Sequence, residues 1–189
     1  MTAKPRPGGR SARTKAAAFE AVAALLAERG HDGFTMTEIA ERAGVAATSL
    51  YRRWGDVRLL VMEAAVEQVM REHPLPDTGS VREDLRLWGR SIAAGLSDRQ
   101  GSSFFHAFVA TAMPAGPARA ERAGAIMRRV EQIAIMLERG RARGEAAPMV
   151  AEVLDHLLAP LYMRALFGAP PGEEVADYLV DRLMKTASA

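Results

Sequence analysis

The segment from Ala47 to Arg53 concentrates side chains that can contact a nucleic acid. Its outward-facing set combines small residues, hydroxyls and two arginines: Ala47, Thr48, Ser49, Tyr51, Arg52 and Arg53. Small residues permit close approach to a duplex, hydroxyls bind phosphate oxygens, and arginines bind phosphate or form paired hydrogen bonds with guanine. The pattern therefore predicts contact with double-stranded DNA.

Two short helices would position these side chains. Thr35 and Glu38 match a capping box, in which the hydroxyl caps the first turn and the carboxylate reaches back. Three residues give the first helix an apolar face: Ile39, Ala40 and Ala43. Gly44 can adopt the left-handed conformation that ends a helix. The spacing predicts a helix-turn-helix, while the alternative is an ordinary helical hairpin with Tyr51 and Trp54 in its core.

Residues 16–64 resemble the DNA-binding domain of the TetR family of bacterial transcriptional regulators. The resemblance rests on three motifs, namely Gly-Phe-Thr at 33–35, Ile-Ala-x-x-Ala-Gly-Val at 39–45 and Leu-Tyr-x-x-Trp at 50–54. It implies that Tyr51 contacts a backbone phosphate and that Thr48 and Arg52 lie near base edges.

The chain departs from the family pattern at two positions. Ala46 stands where a polar cap is usual, so the second helix is expected to begin without side-chain capping. Val57 stands where many members carry lysine, so we expect Arg58 to replace that phosphate contact. Thr35 and Thr37, at the start of the first helix, complete the predicted DNA-contacting set.

Composition limits the class of protein. The chain has 189 residues, of which 49% are hydrophobic and 25% charged, as in soluble globular proteins. The absence of cysteine excludes disulfides and thiolate metal sites and fits a cytoplasmic protein. No apolar run approaches the length of a membrane span, so no membrane partner is expected. Basic residues precede the first acid, Glu20, and residues 1–11 are expected to form a disordered basic arm.

The pattern predicts an all-α protein, because alanine is abundant and no alternating β-branched pattern occurs. We expect an N-terminal three-helix helix-turn-helix domain over residues 12–72, including a linking helix. Residues 73–79 contain two prolines and a glycine and would break the chain. A helical regulatory and dimerisation domain is expected over residues 78–187, opened by a capping box of Ser80 and Glu83.

The second half also resembles a common TetR-family regulatory domain. The matching features are the opening at 78–85, Arg-Gly-Glu at 143–145 and Pro-Leu-Tyr at 160–162. The resemblance implies a homodimer in which the last two helices pack against their copies. We assign five leucines to that interface: Leu154, Leu158, Leu161, Leu179 and Leu183. The alternative is that this leucine-rich helix is buried within one subunit.

Aromatic and methionine side chains of the second half predict a cavity for a small hydrophobic effector. The expected lining is Trp88, Phe105, His106, Phe108, Met113, Met127, Tyr162 and Met163. Apolar pockets with few polar groups suit small organic ligands, and methionine adapts to varied shapes. For any single residue, a place in the ordinary core is the alternative, and the family resemblance favours the cavity.

Catalytic chemistry finds no support in the sequence. The four histidines are scattered, without metal-ligand spacing, and no phosphate-binding glycine loop or nucleophile turn occurs. We expect no catalytic residue, metal or cofactor. The sequence predicts a ligand-responsive homodimeric repressor on a palindromic operator. The alternatives are a helical interaction protein with vestigial DNA binding and, third, a small-molecule enzyme.

Overall fold

The computed structural model describes residues 9–30, 33–111 and 118–187, which form helices and no strand. The helices are α1 (Arg10–Arg29), α2 (Met36–Ala43), α3 (Ala47–Trp54), α4 (Val57–Glu72), α5 (Val81–Ser97), α6 (Arg99–Thr111), α7 (Ala118–Ala142), α8 (Val150–Val153), a π-helical segment (Leu154–Leu158), α9 (Ala159–Leu166) and α10 (Glu173–Thr186). The all-α prediction is confirmed. Among the described residues, no helix is long and apolar enough to cross a membrane.

The first helix begins earlier than predicted. α1 starts at Arg10, so the expected disordered arm is too long by two residues, and residues 1–8 lie outside the described part of the chain. Its end agrees with the sequence, because Gly30 has a φ of 71° and its N–H donates to the Leu26 carbonyl at 2.9 Å. Only glycine adopts that conformation without strain.

Two buried clusters hold the helices together. The first joins α1 to α4 and contains the fully buried Val22, Ile39, Leu50 and Leu60. Ala107 of α6 is buried in this same cluster, so α6 packs against the N-terminal helices. The second cluster joins α5 to α10 through large buried side chains: Leu85, Trp88, Ile133, Met136, Leu157, Leu161 and Val180.

Three of the leucines assigned to the subunit interface belong to the second cluster. Leu161 is completely buried within the chain, and Leu183 and Leu158 are 1% and 8% exposed. A partner subunit cannot reach side chains that neighbouring helices already cover. The assignment of Leu158 and Leu161 to the interface was therefore wrong, whereas Leu183 lines a groove together with Leu179, and Leu154 and Leu179 are half-buried.

The opening of α5 differs from the predicted capping box. Ser80 precedes α5 but makes no capping hydrogen bond with its side chain. Asp84 instead accepts hydrogen bonds from the Thr78 N–H at 2.7 Å and the Thr78 hydroxyl at 2.8 Å. The Ser80 N–H, which a capping box would have paired with Glu83, donates to the Thr78 hydroxyl at 3.3 Å, and the Val81 N–H donates to Glu145 of a distant loop at 2.8 Å.

The helix from Val150 to Leu166 contains a π-helical segment that the sequence did not predict. The Ala159 N–H donates to the Leu154 carbonyl, five residues back, instead of the usual four. Pro160 follows and has no N–H to give to the His156 carbonyl, which disfavours regular α-helical pairing here. The segment carries Leu154 and Leu158 towards the interior of the second half.

Candidate DNA-binding surface and effector cavity

The capping box at the start of α2 is present. The Glu38 N–H donates to the Thr35 hydroxyl at 3.2 Å, and the Thr35 N–H donates to the Glu38 carboxylate at 2.8 Å. The Thr35 hydrogen bond, with a second one from Arg29, holds the pKa of Glu38 below its usual value. Thr35 and Thr37 are both exposed, and the Thr35 hydroxyl is committed to this cap.

The turn between α2 and α3 has the predicted conformation. Gly44 has φ 64° and ψ 33°, and its N–H donates to the Glu41 carbonyl at 3.2 Å. Leu50 is fully buried and Trp54 is 6% exposed, so α3 turns its apolar side inwards. Ala46 precedes α3 and provides no side-chain cap, as predicted.

The opposite side of α3 presents the predicted contact residues. Thr48, Tyr51, Arg52 and Arg53 are exposed, and Tyr51 is 50% exposed despite its large ring. Two further members of the set, Ala47 and Ser49, are half-buried. The helix-turn-helix thus holds a contiguous surface of hydroxyl, phenol and guanidinium groups.

The two arginines of α3, Arg52 and Arg53, differ in their contacts with the rest of the protein. Arg52 makes no hydrogen bond or ion pair with any residue that the structure describes. Arg53 donates to the Ser11 hydroxyl at 2.8 Å and lies 4.9 Å from the centroid of the Trp54 ring. Both contacts draw the Arg53 guanidinium back towards the protein, which leaves Arg52 better placed to reach a base.

Arg58 is engaged at the start of α4. Its guanidinium pairs with Asp56 at 2.7 Å, and Asp56 also caps α4 by accepting from the Arg58 N–H at 2.8 Å. The side-chain hydrogen bond from Arg58 holds the pKa of Asp56 below its usual value. A phosphate contact by Arg58 would have to compete with this pair.

A half-buried carboxylate, Glu63, fixes α3 against its neighbours and was missed by sequence reasoning. The Trp54 indole N–H donates to Glu63 of α4 at 2.7 Å, and Lys15 of α1 pairs with Glu63 at 2.9 Å. Burial raises the pKa of Glu63, but the hydrogen bonds from Lys15 and Trp54 outweigh it, and the net shift is downward. This charge-assisted network orients the surface of α3.

A cavity of about 530 Å³ lies in the second half of the chain. Residues of α4 to α7, the π-helical segment and α9 line it. Four predicted lining residues are present: Trp88, Phe105, Tyr162 and Met163. Phe105 and Tyr162 stack with ring centroids 5.2 Å apart.

Two predicted lining residues are absent from the cavity wall, and two others are not described. Met127 is 50% exposed, because the inward stripe of α7 runs through Val130 and Ile133. His106 is not among the lining residues, and its Nδ1 lies 3.3 Å from the hydroxyl oxygen of Ser102, one helical turn earlier. Both assignments were wrong. Met113 and the side chain of Phe108 lie outside the described part of the chain.

Arg129 is the most important lining residue that the prediction missed. Its Cζ lies 4.8 Å from the centroid of the Trp88 ring. Its guanidinium donates to the His73 carbonyl at 2.5 Å and to the Gln132 side chain at 3.0 Å. Burial lowers the pKa of Arg129, which Tyr162 partly opposes. A charge beside the apolar stripe of α7 was the available sequence signal.

His73 connects the cavity to the end of α4. Its backbone N–H donates to the Val69 carbonyl at 3.0 Å, and its side-chain Nδ1 lies 2.7 Å from the hydroxyl oxygen of Ser91 in α5. Burial lowers the pKa of His73, and the charge of Arg129 adds to this shift against the opposing effect of Glu72. The imidazole is therefore neutral at neutral pH.

Titratable side chains do not cluster as a metal site would require. Within the described ranges, no group of three histidine, aspartate or glutamate side chains converges. The polar groups that do line the cavity are His73, Arg129, Tyr162 and, at exposed positions, Glu72 and Asp155.

The helix-turn-helix with its exposed surface on α3 defines a DNA-binding protein. Residues 18–64 match the family described as bacterial regulatory proteins, tetR family, and residues 75–183 match the tetracyclin repressor-like, C-terminal domain. The chain therefore belongs to the TetR family of transcriptional regulators.

Individual relatives agree with this assignment. The HTH-type transcriptional regulator AqdR of Rhodococcus erythropolis is 31% identical over 136 residues, which span 72% of this chain and 65% of that protein. The HTH-type transcriptional regulator YdeS of Bacillus subtilis is 29% identical over 97% of this chain and 90% of its own length. The crystal structure of the TetR family regulator SCO0332 has the same fold, with a TM-score of 0.78 and 24% identity over 92% of this chain and 97% of that one.

Proposed function

We propose that this protein is a non-enzymatic, cytoplasmic repressor that binds a palindromic operator as a homodimer and leaves it when a small hydrophobic effector fills the cavity. The observation that carries the proposal is the path of α4. Its first residues, capped by Asp56, adjoin α3, and Val69, Met70 and Glu72 near its end line the cavity. One rigid element thus belongs to both sites.

The DNA contacts would come chiefly from α3. Arg52 is unpaired within the described residues and would bind a base edge, and Tyr51 would donate to a phosphate. Thr48 lies on the same exposed surface. Because Ala46 offers no side-chain cap, N–H groups at the start of α3 remain available for phosphate oxygens.

The dimer would form through the exposed side of the last helices. His156, Pro160, Leu179 and Arg182 line a shallow groove of about 240 Å³ between the π-helical segment, α9 and α10. Tyr178 is 57% exposed close to it. Two subunits would hold their α3 helices about 34–36 Å apart, which matches successive turns of the major groove.

The effector would act through differential affinity for two arrangements of α4. A ligand releases DNA only if it binds the DNA-incompetent arrangement more tightly. Because α6 packs against both α1 and α4 through Ala107 while Phe105 faces the cavity, a second element also joins the two regions.

The test begins with selection of an operator from a random duplex library using purified protein. Fluorescence anisotropy then compares the selected duplex with a scrambled one at several salt concentrations. We expect cooperative binding of two subunits and a preference for the palindrome that persists as salt weakens both affinities. Uniform weak binding with no selected sequence would contradict the proposal and favour a helical interaction protein.

A further inference from the structure

The chemistry of the cavity restricts its ligand further, on the assumption that the proposed function is right. We infer that the effector is a lipophilic anion, an apolar molecule with one carboxylate or similar acidic group, and that Arg129 is its counter-ion.

The apolar part of the ligand follows from the cavity wall. The volume of about 530 Å³ lies within the range of small-molecule sites. Most of the wall is hydrocarbon, including Val66, Val69, Ile92, Leu96, Phe105 and Leu158. Transfer of an aliphatic or aromatic body from water to this wall is favourable in proportion to the apolar area buried.

The charge of the ligand follows from Arg129. Its hydrogen-bond acceptors are neutral, namely the His73 carbonyl and the Gln132 side chain, and it forms no ion pair with the described residues. Arginine has five N–H donors and remains protonated, so donors are left for a ligand. A partly buried charge without a counter-ion is costly, and an anion in the cavity would supply one.

Two neighbouring side chains add donors and no competing charge. The Trp88 indole N–H is buried without a hydrogen-bond acceptor among the described residues, and Trp88 lies directly beneath Arg129. The Tyr162 hydroxyl also makes no hydrogen bond within the described chain, and burial raises its pKa, so it is protonated. The carboxylates of Glu72 and Asp155 are exposed, where water screens them.

The hydrogen bond from Arg129 to His73 would couple ligand binding to the position of α4. The Arg129 guanidinium holds the carbonyl of His73, the residue that ends α4. A carboxylate is a stronger partner for arginine than a carbonyl oxygen is. An anion that draws Arg129 away would therefore release the end of the helix whose beginning supports α3.

The experiment compares matched acids and amides by isothermal titration calorimetry on the full chain. The probes are decanoate and decanamide, naphthoate and naphthamide, with decylammonium as the cation. We expect the acid of at least one pair to bind roughly tenfold to hundredfold more tightly than its amide. Arg129→Met should reduce acid affinity to that of the amide and leave the amide unchanged. The Arg129→Lys variant should retain part of the preference for the acid over the amide. The control Arg128→Met, at an exposed neighbouring residue, should retain all of that preference.

Operator titrations in the presence of the preferred acid complete the test. The acid should weaken operator binding by the wild-type protein and have no effect on Arg129→Met. Equal affinity for acids and amides in every pair, tighter binding of decylammonium, no binding of any probe, or an acid preference that survives in Arg129→Met would each overturn the inference. If the protein still selects an operator in those cases, the proposed function stands without it; if no operator is selected, the proposed function itself has failed.

Discussion

Arginine has opposite surroundings in the two halves of this molecule. On α3, Arg52 extends from an exposed surface, where water can hydrate its guanidinium group. In the second half, Arg129 lies over Trp88 within a largely apolar wall, and its described partners are neutral. An exposed arginine can exchange partners at little cost in free energy. A partly buried arginine without a counter-ion binds an anion more strongly, because less water screens the interaction.

In the proposed function, DNA recognition and the response to an effector belong to separate regions of the chain. The DNA surface is built on two short helices fixed by a capping box and the Lys15–Glu63–Trp54 network, which favour a single arrangement. The cavity wall instead combines short stretches of six helical elements, so a ligand there can alter how those elements pack. We expect mutations in the first region to change binding strength and those in the second to change its regulation.

The largest effect should come from removing the aromatic anchor of α3. Trp54→Ala deletes a side chain that is 6% exposed and leaves Glu63 without its indole donor. We expect a loss of about 3–5 kcal/mol in the free energy of unfolding, measured by urea denaturation. Tyr51→Ala, on the exposed side of the same helix, should cost roughly 0.5 kcal/mol or less. Equal losses in both variants would contradict the assigned orientation of α3.

A charge placed at the proposed subunit contact should separate the subunits. Leu179→Glu puts a carboxylate into the groove between α9 and α10, and burying it without a partner would cost several kcal/mol in the dimer. Sedimentation should show folded monomers with wild-type helicity by circular dichroism. Met149→Glu, at a residue 63% exposed elsewhere, is the control and should remain dimeric. A stable dimer of the Leu179 variant would place the interface on another surface.

The two arginines of α3 offer a narrower test. Arg52→Ala should reduce discrimination between operator and scrambled DNA by roughly 1–3 kcal/mol if it binds a base edge. Arg53→Ala should leave this discrimination unchanged, because the Arg53 guanidinium is held towards Ser11 and Trp54 and away from a base edge. Anisotropy titrations at matched salt would measure both ratios. An unchanged ratio for the Arg52 variant would assign that residue to a phosphate.

The smallest effect concerns the ion pairs between α5 and α10. Arg90 pairs with Asp177 at 2.6 Å, and its hydrogen bond holds the pKa of Asp177 below the usual value. A lowered carboxylate pKa stabilises the fold above the unfolded pKa of about 3.9, and this contribution is lost as pH falls through the folded value. Arg90→Gln should therefore lower the melting temperature slightly at pH 7 in low salt, and by less in acid. Melting temperatures across pH and salt would show this, and a loss that is equal at all pH values would point to packing instead.

The sequence by itself determined the local structure of the DNA-binding surface. Thr35, Glu38 and Gly44 specify the ends of α2 through bonds that span a few residues, so their roles can be inferred without knowing the rest of the fold. The all-α class follows for the same reason. The capping box expected at Ser80 was wrong because the Ser80 N–H donates to Thr78, and Glu145, a residue 64 positions away, accepts from the neighbouring Val81 N–H.

Only the tertiary structure decided which apolar residues face which neighbour. Leu154 to Leu183 carry a pattern that suits both a core and an interface, and packing of α5, α9 and α10 buries Leu161 while leaving Leu179 half-exposed. The cavity likewise depends on short stretches of six elements, and Arg129 belongs to it because α7 crosses the end of α4. The contact between Arg129 and His73 joins residues 56 positions apart, which local spacing in the sequence cannot indicate.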